Sequence, residues 1–317
     1  MLKGSKILVT GLTGNLGGSL AEALSSENEV WGFARFSREG QLEYWKNAGV
    51  HTVVGNLSDG VFEGLPDDFD YVINSAANTA PASFEEAMRD NAEGTGLLMA
   101  HCRKAKAFLH FSAAAVYAKY PDLNRWYKEG DLTGSAGMGH YNGSKLASEG
   151  VVRAMARHLG LPSIICRMGV QYGKYRNGGL PGIFLKMMLN RQPIVLPAGQ
   201  DNRHMLISDD DVVRFLEPAL NAASVPALTT NFAGDEAVSS VELIKYLAEL
   251  IDVEPDYAFS DDLDYPTVKL DPTLRQSITG PCEIPWREGV KQMVEFMKVQ
   301  PNNASIAMGE SLLARPR

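Results

Sequence analysis

Short apolar runs alternate with longer amphipathic segments through the first half of the chain. The short runs are rich in β-branched residues and read as strands: KILVT, EVWGFAR, HTVVGN, YVINSAA, AFLHFSA and SIICRM. Between them, GGSLAEALSS, FEEAMRDNAEGTGLLMAHCRKA and HYNGSKLASEGVVRAMARHLG have helical periodicity. This alternation predicts an α/β protein built on a Rossmann-type, doubly wound parallel sheet.

Beyond residue 168 the alternation loosens, which predicts a second, smaller α/β region. SIICRM is expected to complete the sheet, so residues 1–168 form the first domain, with a returning segment near 205–225. Residues 169–300 are assigned mostly to substrate binding. Residues 301–317 lack a clear apolar face and are predicted to be a flexible tail.

Composition narrows the class of protein. A net charge of -8 argues against a nucleic-acid surface, which needs clustered Lys and Arg. No apolar run is long enough to cross a bilayer, and MLKGSKILVT is too short and strand-like for a signal peptide. Cys102, Cys166 and Cys282 lie far apart without metal-ligand spacing. We therefore expect a cytoplasmic protein with no metal, no membrane contact and a small-molecule substrate.

The segment TGLTGNLGG lies between the first strand and the first helix. Its glycines permit a tight turn, close approach of the backbone to a pyrophosphate, and close packing of helix on strand, while the helix N-terminus offers free N–H groups. Because the strand and helix context is the one this motif requires, we predict dinucleotide binding. The predicted contacts here are Gly11, Thr13, Gly14, Asn15, Leu16 and Gly17.

The second strand is followed by Arg35 and Arg38, with no acidic residue between Glu29 and Glu39. An acidic side chain at this position typically binds the ribose hydroxyls of NAD, whereas arginine accommodates the 2′-phosphate of NADP. We therefore predict NADP as the cofactor in preference to NAD, with both arginines as contacts. The alternative is that they are solvated surface charges.

Tyr141 and Lys145 stand four residues apart, on one face of a predicted helix. A neighbouring ammonium favours the phenolate and is expected to lower the tyrosine pKa. A tyrosine of this kind exchanges a proton with a substrate oxygen while hydride moves. Lys145 is also expected to hydrogen-bond the nicotinamide ribose.

These motifs together resemble the extended short-chain dehydrogenase/reductase family, which includes NAD-dependent epimerases and dehydratases. The resemblance is carried in order by TGLTGNLGG, GNLSD, NSAA, NAEGT, VY, YNGSK and RMGVQYG. It implies a homodimer formed through the helices that bear Asn91 and Tyr141. It also implies further cofactor contacts: Asn56, Leu57, Ala76, Ala77, Met168 and Val170.

The hydroxyl partner of the tyrosine is displaced in this chain. The family places a Ser or Thr three residues before the Val of VY, but Ala113 stands there and Ser112 precedes it. Adjacent strand residues face opposite sides, although a bulge at the strand end would turn Ser112 inward. Three readings stay open: Ser112 is catalytic, another hydroxyl replaces it, or Tyr141 acts alone. The candidate replacements are Thr79, Ser135 and Tyr117.

Signals for the substrate disagree. RHMLISDDDVV resembles the family segment whose arginine, here Arg203, contacts a substrate diphosphate. Nucleotide-sugar members often carry Asn three residues after the arginine of the sixth strand, where this chain has Val170. Tyr117 and Arg203 are the predicted substrate contacts. The aromatic segment after Tyr117 either covers an apolar substrate or packs as a surface loop.

The leading prediction is an NADP(H)-dependent oxidoreductase that transfers hydride between nicotinamide and a small carbonyl or secondary alcohol. Tyr141 is the general acid/base, supported by Lys145 and Ser112. One alternative is a nucleotide-sugar epimerase or dehydratase that retains its cofactor, which Arg203 favours. An alternative of another class is a non-catalytic NADP-sensing protein.

Overall fold

The computed structural model describes most of the chain. Its described residues are 2–122, 124–134, 139–174, 178–199, 202–263 and 268–299. The tail predicted for residues 301–317 lies outside them, and so does Ser135, one of the candidate hydroxyls.

Strands and helices alternate along the described chain. The strands are β1 (Lys6–Thr10), β2 (Glu29–Ala34), β3 (His51–Val54), β4 (Tyr71–Asn74), β5 (Ala107–Ala113), β6 (Trp126–Tyr127), β7 (Ser163–Met168), β8 (Val170–Tyr172), β9 (Ile194–Pro197), β10 (Arg203–Ser208), β11 (Leu228–Phe232), β12 (Ala237–Ser239), β13 (Tyr257–Ser260) and β14 (Lys269–Leu270). The α-helices are α1 (Asn15–Ser25), α2 (Gln41–Asn47), α3 (Phe84–Ala87), α4 (Gly94–His101), α5 (Gly139–Leu159), α6 (Gly179–Leu189), α7 (Asp209–Asn221), α8 (Ser240–Ile251), α9 (Thr273–Thr279) and α10 (Trp286–Val299). A π-helical segment, Met88–Glu93, joins α3 to α4.

Seven strands form one sheet in the order β11-β7-β5-β4-β1-β2-β3, and each neighbouring pair is parallel. The chain runs outward from β1 to β2 and β3, then returns to the other side of β1 as β4. Thr10 and Asn74 pair at the carboxyl ends of β1 and β4, where this reversal leaves a crevice. The predicted doubly wound parallel sheet is therefore confirmed, and its crevice positions a ligand site.

Alternate residues of the central strands supply two separate cores. Ile7 and Val9 of β1 pack with residues of α1 and α7, whereas Leu8 packs with residues of α4 and α5. All three are fully buried. A strand that is covered by helices on both faces must be apolar at every position, which is why KILVT reads as a continuous run.

SIICRM, which is β7, is predicted to complete the sheet, but the sheet continues beyond it. β11 pairs with β7 along its whole length and forms the edge of the sheet. Before it, α7 packs against α1 and β5. The returning segment thus extends beyond residue 225 to Phe232. Periodicity along the chain cannot show that LTTNF pairs with a distant strand, because that pairing is made only in the folded molecule.

The remaining elements form the smaller α/β region. Its core is built from α6, α8 and α10 together with residues of β9 and β10. Short sheets complete it, in the orders β12-β10-β8, β13-β9 and β14-β6. β8 follows β7 after a single residue, so this region joins the central sheet at the carboxyl ends of its strands.

Two kinds of feature are not found in the part of the chain that the structure describes. Within these residues no helix has the combined length and apolarity to cross a membrane. The same residues contain no group of three or more His, Cys, Asp or Glu side chains arranged to hold a metal ion.

Candidate active site

A cleft of about 680 Å³ opens at the carboxyl ends of the central strands. It brings together the loops after β1, β2, β4 and β5 with the first turns of α5. The predicted residues that line it are Gly11, Thr13, Gly14, Asn15, Leu16, Gly17, Arg35, Arg38, Asn56, Leu57, Ala76, Ala77, Ser112, Tyr141, Lys145 and Met168. Of the predicted cofactor contacts, Val170 alone does not contribute to the described lining.

Val170 lies outside the described lining of the cleft, so its contact with the cofactor stays a prediction. Its neighbours Gly169 and Gln171 line the cleft, whereas Val170 packs against the core of the smaller region. Successive side chains of a strand point to opposite faces, so a cleft that takes Gln171 cannot also take Val170. Gln171 is held by a hydrogen bond from its Nε2 to Asp209. Strand parity in RMGVQYG is the signal that would have found it.

The glycine loop is tightly packed in the way the motif predicts. Gly11 has a φ of +70°, and a Cβ there would lie 2.7 Å from the backbone nitrogen of Ala76. A Cβ at Gly17 would lie 2.5 Å from the carbonyl oxygen of Gly11. Gly14 caps α1 without a side-chain hydrogen bond, so the first turn of the helix faces the cleft with its backbone N–H groups. This geometry suits a pyrophosphate.

The end of β2 presents two cations to the cleft. Arg35 and Arg38 are both exposed, and neither guanidinium forms a hydrogen bond or ion pair with any described residue. No acidic side chain lines this part of the described cleft. Their charges are therefore available to an anionic group of a bound ligand.

The loop after β4 and the π-helical segment contribute two residues that were not predicted from the sequence, together with the candidate hydroxyl Thr79. Asn78 and Asp90 line the cleft, as does Thr79, which is exposed. Asn91 positions this loop, since its Oδ1 accepts from the Asn78 backbone nitrogen at 2.7 Å. Its Nδ2 donates to the Asn78 carbonyl at 3.0 Å and to Ser144 Oγ at 2.9 Å. Asn91 thereby ties the loop to the helix that carries Tyr141.

Tyr141 and Lys145 both lie on α5 and line the cleft. Lys145 is buried, and its Nζ donates to the Phe111 carbonyl at 2.7 Å. Burial lowers the pKa of Lys145 to about 8, although Glu149 opposes this change. Burial also raises the pKa of Tyr141 to about 12. The expected lowering by the lysine is thus not found, because desolvation of the phenolate outweighs it.

Ser112 lines the cleft, but its hydroxyl is committed to a buried ion pair. Ser112 Oγ donates to Glu149 Oε1 at 2.6 Å. The same carboxylate accepts from Arg167 Nε at 3.0 Å and Nη2 at 2.7 Å. A serine has one proton to donate, so this geometry disfavours the reading in which Ser112 donates to a substrate. Among the described candidates, Thr79 is the replacement hydroxyl that lines the cleft.

Tyr117 is predicted to contact substrate, but it lies outside the described lining of the cleft, and that contact stays a prediction. Its side chain is 2% exposed and its hydroxyl donates to Asn231 Oδ1 at 2.6 Å. The ring packs against Tyr127 and lies under the Arg167 guanidinium, 4.7 Å from its centroid. Of the described residues that follow, Tyr120 and Tyr127 pack in the same cluster as Met205 of β10 and Leu270 of β14.

Arg203 is the other predicted substrate contact. It begins β10 and is half-buried, and its Nη1 donates to the Ala237 carbonyl at 3.0 Å. It does not belong to the described lining of the cleft. Its contact with a substrate diphosphate stays a prediction.

The model of the NAD dependent epimerase/dehydratase family matches residues 7–228 of this chain. The matched range contains the glycine loop, α5 and the strands of the central sheet up to the first residue of β11. The chain therefore belongs to the NAD dependent epimerase/dehydratase family. This confirms the resemblance and the predicted enzyme class, and it makes a nicotinamide dinucleotide the cofactor that the glycine loop fits.

Two curated relatives are dTDP-glucose 4,6-dehydratases of Escherichia coli. One is 26% identical over 193 residues, which cover 55% of this chain and 52% of that protein. The other is 23% identical and covers 94% of both chains. The chain thus spans about half the length of the first relative it matches and nearly all of the second.

Similar solved structures include several 4-epimerases. A UDP-glucuronic acid 4-epimerase variant of Bacillus cereus has a TM-score of 0.79 at 20% identity, covering 93% of this chain and 99% of its own. A UDP-N-acetylglucosamine 4-epimerase of Methanobrevibacter ruminantium has a TM-score of 0.80 at 19% identity, with coverage of 94% and 100%. At these identities the likeness shows the shared fold.

Proposed function

We propose that this protein is a nucleotide-sugar epimerase that oxidises one sugar carbon transiently and returns the hydride to its other face. The observation that carries the proposal is that Tyr141 and Lys145 line the same cleft as the glycine loop. Family membership supports it, and so does the shared fold with proteins described as 4-epimerases. These comparisons favour the epimerase/dehydratase alternative over the oxidoreductase of small carbonyls.

The chain's own residues supply proton transfer and binding. A nicotinamide dinucleotide held by the glycine loop would supply the hydride acceptor and donor. Tyr141 exchanges the proton of the sugar hydroxyl: the phenolate accepts it when hydride leaves, and the phenol returns it when hydride comes back. Burial raises the pKa of Tyr141 to about 12, so the phenolate depends on nearby positive charge, which the Lys145 ammonium and an oxidised nicotinamide would supply. Lys145, with a pKa of about 8, remains mostly an ammonium at neutral pH and donates to the cofactor ribose. Gly11 and Gly17 let the backbone approach the pyrophosphate.

An epimerase suits the cleft better than a dehydratase does. Elimination of water needs an additional acid and base beside the tyrosine, one for each carbon of the new double bond. At the end of β5 the described lining consists of Phe111, Ser112 and Ala113, and the Ser112 hydroxyl is committed to Glu149. Asp90 is the one carboxylate of the described lining, and it accepts a hydrogen bond from Asn78 at 3.0 Å. Epimerisation needs one proton carrier, which Tyr141 provides.

The observations disagree on whether the cofactor is NAD or NADP. The family description and the structures solved with NAD favour NAD. Arg35 and Arg38, which are exposed in the cleft, favour NADP. Epimerisation is possible with either, because the hydride returns to the sugar. The arginines are also the observation that favours a second candidate, an NADPH-dependent reductase of small carbonyls.

Binding measurements on an Arg35→Ser/Arg38→Ser variant test this choice. We expect the variant to lose about tenfold or more of its affinity for NADPH, since charge-assisted hydrogen bonds to phosphate are lost. Affinity for NADH is expected to stay within about twofold, because its ribose carries no 2′-phosphate. Equal losses for both cofactors would mean that the arginines do not read the 2′-phosphate.

Incubation of the purified protein with UDP- and dTDP-sugars tests the reaction. An epimerase converts one sugar into its epimer without net change in cofactor and without incorporating deuterium from heavy water at the inverted carbon. A 4-keto-6-deoxy product would identify a dehydratase instead. Steady oxidation of NADPH by simple ketones, with no change in any nucleotide sugar, would support the second candidate and reject the epimerase.

We also propose that the protein forms a homodimer through the helices that bear Asn91 and Tyr141. Phe84 of α3 is 62% exposed and Leu97 of α4 is 43% exposed, so this side of the sheet offers apolar area to a second copy. Sedimentation of the wild-type protein and of a Phe84→Glu/Leu97→Glu variant tests this. A dimer that becomes a monomer in the variant supports the proposal, and a wild-type monomer rejects it.

A further inference from the structure

A buried chain of polar side chains leads from the end of β1 to Lys145. His110 of β5 lies at its centre, is fully buried, and stands opposite Asn74 in the register of β4 and β5. Asn74 Oδ1 accepts a hydrogen bond from Thr10 Oγ1 at 2.6 Å. At the other end, His110 Nε2 lies 2.9 Å from Ser148 Oγ and 3.5 Å from Lys145 Nζ. An imidazole therefore touches the catalytic lysine from the sheet side.

The hydrogen-bond partners of His110 determine which ring nitrogen carries the proton. Ser148 donates its one hydroxyl proton to the Lys145 carbonyl at 2.7 Å, so only its lone pairs face the ring. Nε2 must then be the donor. On the other side, Asn74 Nδ2 reaches Nδ1 at 3.1 Å as a donor, because Asn74 Oδ1 already accepts from Thr10. Nδ1 must therefore be the acceptor, and the ring is the neutral Nε2–H tautomer.

This tautomer has a consequence for Lys145. Its Nζ has only protons to donate as an ammonium, and the nearby Nε2 also carries a proton. The two groups repel each other, and Nζ donates to the Phe111 carbonyl at 2.7 Å instead. If the proton were on Nδ1 instead, the lone pair of Nε2 would attract the ammonium away from that carbonyl.

We propose that His110 is a positioning residue for Lys145: held as the Nε2–H tautomer by Asn74 and Ser148, it presents an N–H to the lysine and directs Nζ toward the Phe111 carbonyl. The same arrangement favours loss of a proton from the Lys145 ammonium, because the His110 N–H repels its positive charge. The inference deepens the proposed function. It rests on that function only because it takes Lys145 to be one of the residues that serve the reaction.

The charges around Lys145 are few and can be named. On its own helix, Glu149 favours the ammonium, but that carboxylate is already paired with Arg167 of β7. Tyr141 is on the same helix and has a raised pKa, so it is uncharged at neutral pH. From β5, burial and the neighbouring lysine hold the pKa of His110 well below its ordinary value. His110 thus acts on Lys145 as a fixed dipole, not as a second charge.

The experiment compares the pKa of Lys145 in three proteins by NMR of ¹³C-labelled lysine, with the signal assigned from its loss in Lys145→Met. In His110→Phe the ring is kept but the N–H is lost, so we expect the pKa of Lys145 to rise by roughly one unit, a tenfold change in its protonation ratio. His101→Phe is the matched control. The His101 Nε2 contacts the Leu65 and Pro66 carbonyls and not Lys145. The pKa of Lys145 should therefore not change in this variant.

A second measurement needs no variant. In the wild-type protein, ¹⁵N shifts of the His110 ring should show a protonated Nε2 and a bare Nδ1 that do not change between about pH 5 and 9. A protonated Nδ1, or a ring that titrates in this range, overturns the proposal. So does a folded His110→Phe in which the pKa of Lys145 is unchanged. A purely structural role would lower stability without moving that pKa.

The two proposals fail separately. If no nucleotide sugar is converted by the wild-type protein, the proposed function fails, while the NMR measurements still decide the role of His110. If sugars are converted but the pKa of Lys145 is the same in the wild type and in His110→Phe, only the inference fails. Where both hold, the alkaline limb of the kcat/KM profile should move to higher pH in His110→Phe and not in His101→Phe.

Discussion

The two halves of the cleft use their polar residues differently. In the half formed by the ends of β1, β2 and β4, Arg35, Arg38 and Thr79 are exposed to a ligand. In the half formed by the end of β5 and α5, Ser112 and Lys145 are hydrogen-bonded to other protein groups. The first half is built to bind, whereas the second is built to hold one helix in place. In the proposed function the first half is therefore the binding half, and the second, in which Tyr141 is the proton carrier, is the catalytic half.

Replacing Tyr141 with Phe should have the largest effect, because it removes the one proton carrier of the catalytic half. We expect turnover to fall by about 10²- to 10⁴-fold with cofactor affinity retained. Tyr117→Phe is the matched control, since its hydroxyl serves Asn231 and not the cleft. Steady-state rates and cofactor titrations check both. If Tyr117→Phe loses as much turnover as Tyr141→Phe, the division between the two halves is wrong.

Lys145→Met tests how strongly the catalytic half is desolvated. The pKa of Lys145 is about 8 in the folded chain and would return to 10.5 on unfolding. Between these values the unfolded chain binds more protons, so this residue makes the free energy of unfolding rise with pH. The cost of burying the ammonium is fully present below about pH 8, at about 3 kcal/mol, and disappears as the pH rises to about 10.5.

Denaturant unfolding of the wild type and of Lys145→Met at several pH values from 7 to about 10 checks this prediction. Both proteins share every other titrating group, so the difference between their curves isolates the lysine. The variant's advantage in stability should shrink as pH rises. Parallel curves would show that the lysine is solvated.

Ser112→Ala separates a structural from a catalytic serine. Because Ser112 donates to the buried Glu149 carboxylate, we expect the free energy of unfolding to fall by about 2 kcal/mol. Turnover should fall less than tenfold, since Ser112 has no proton left for a substrate. Thermal unfolding and kinetics check the pair of effects. A hundredfold loss of turnover at unchanged stability would restore Ser112 as a catalytic residue.

Gly17→Ala tests the packing of the binding half. Its Cβ would lie 2.5 Å from the Gly11 carbonyl oxygen and 2.6 Å from Ser75 Oγ, so the loop must shift. We expect cofactor affinity to fall about tenfold, a cost typical of overpacking. Gly143→Ala on α5 meets no atom within 4 Å and should instead stabilise the helix slightly. Fluorescence titration of both variants makes the comparison, and equal affinities would contradict the prediction.

Much of the binding half could be predicted from sequence because its signals are local. The glycine loop directly follows its strand, and the spacing of Gly11, Gly14 and Gly17 already specifies a turn that enters a helix. The face shared by Tyr141 and Lys145 follows from the helical period, which is equally local. These residues line the cleft as expected.

The catalytic half was predicted less well because its contacts join distant parts of the chain. Nothing near Ser112 in sequence indicates that its hydroxyl will donate to Glu149, which is itself paired with Arg167. The Tyr117 hydroxyl donates to Asn231 of β11, a strand that periodicity did not connect to the sheet. The pKa of Tyr141 is expected to fall when Lys145 is the one neighbour considered, but burial raises it. Desolvation depends on the whole fold.

The Arg167 guanidinium has a consequence for how this enzyme can change. Its planar fork grips the Glu149 carboxylate of α5 with two nitrogens and the Glu129 carbonyl of the segment after Tyr117 with the third, at 3.1 Å. Lysine would keep the charge but could serve only one of these partners in the same geometry. Arg167 therefore joins α5, which bears Tyr141, to the segment after Tyr117, so a loop grafted there would keep α5 in place only where these three hydrogen bonds are preserved.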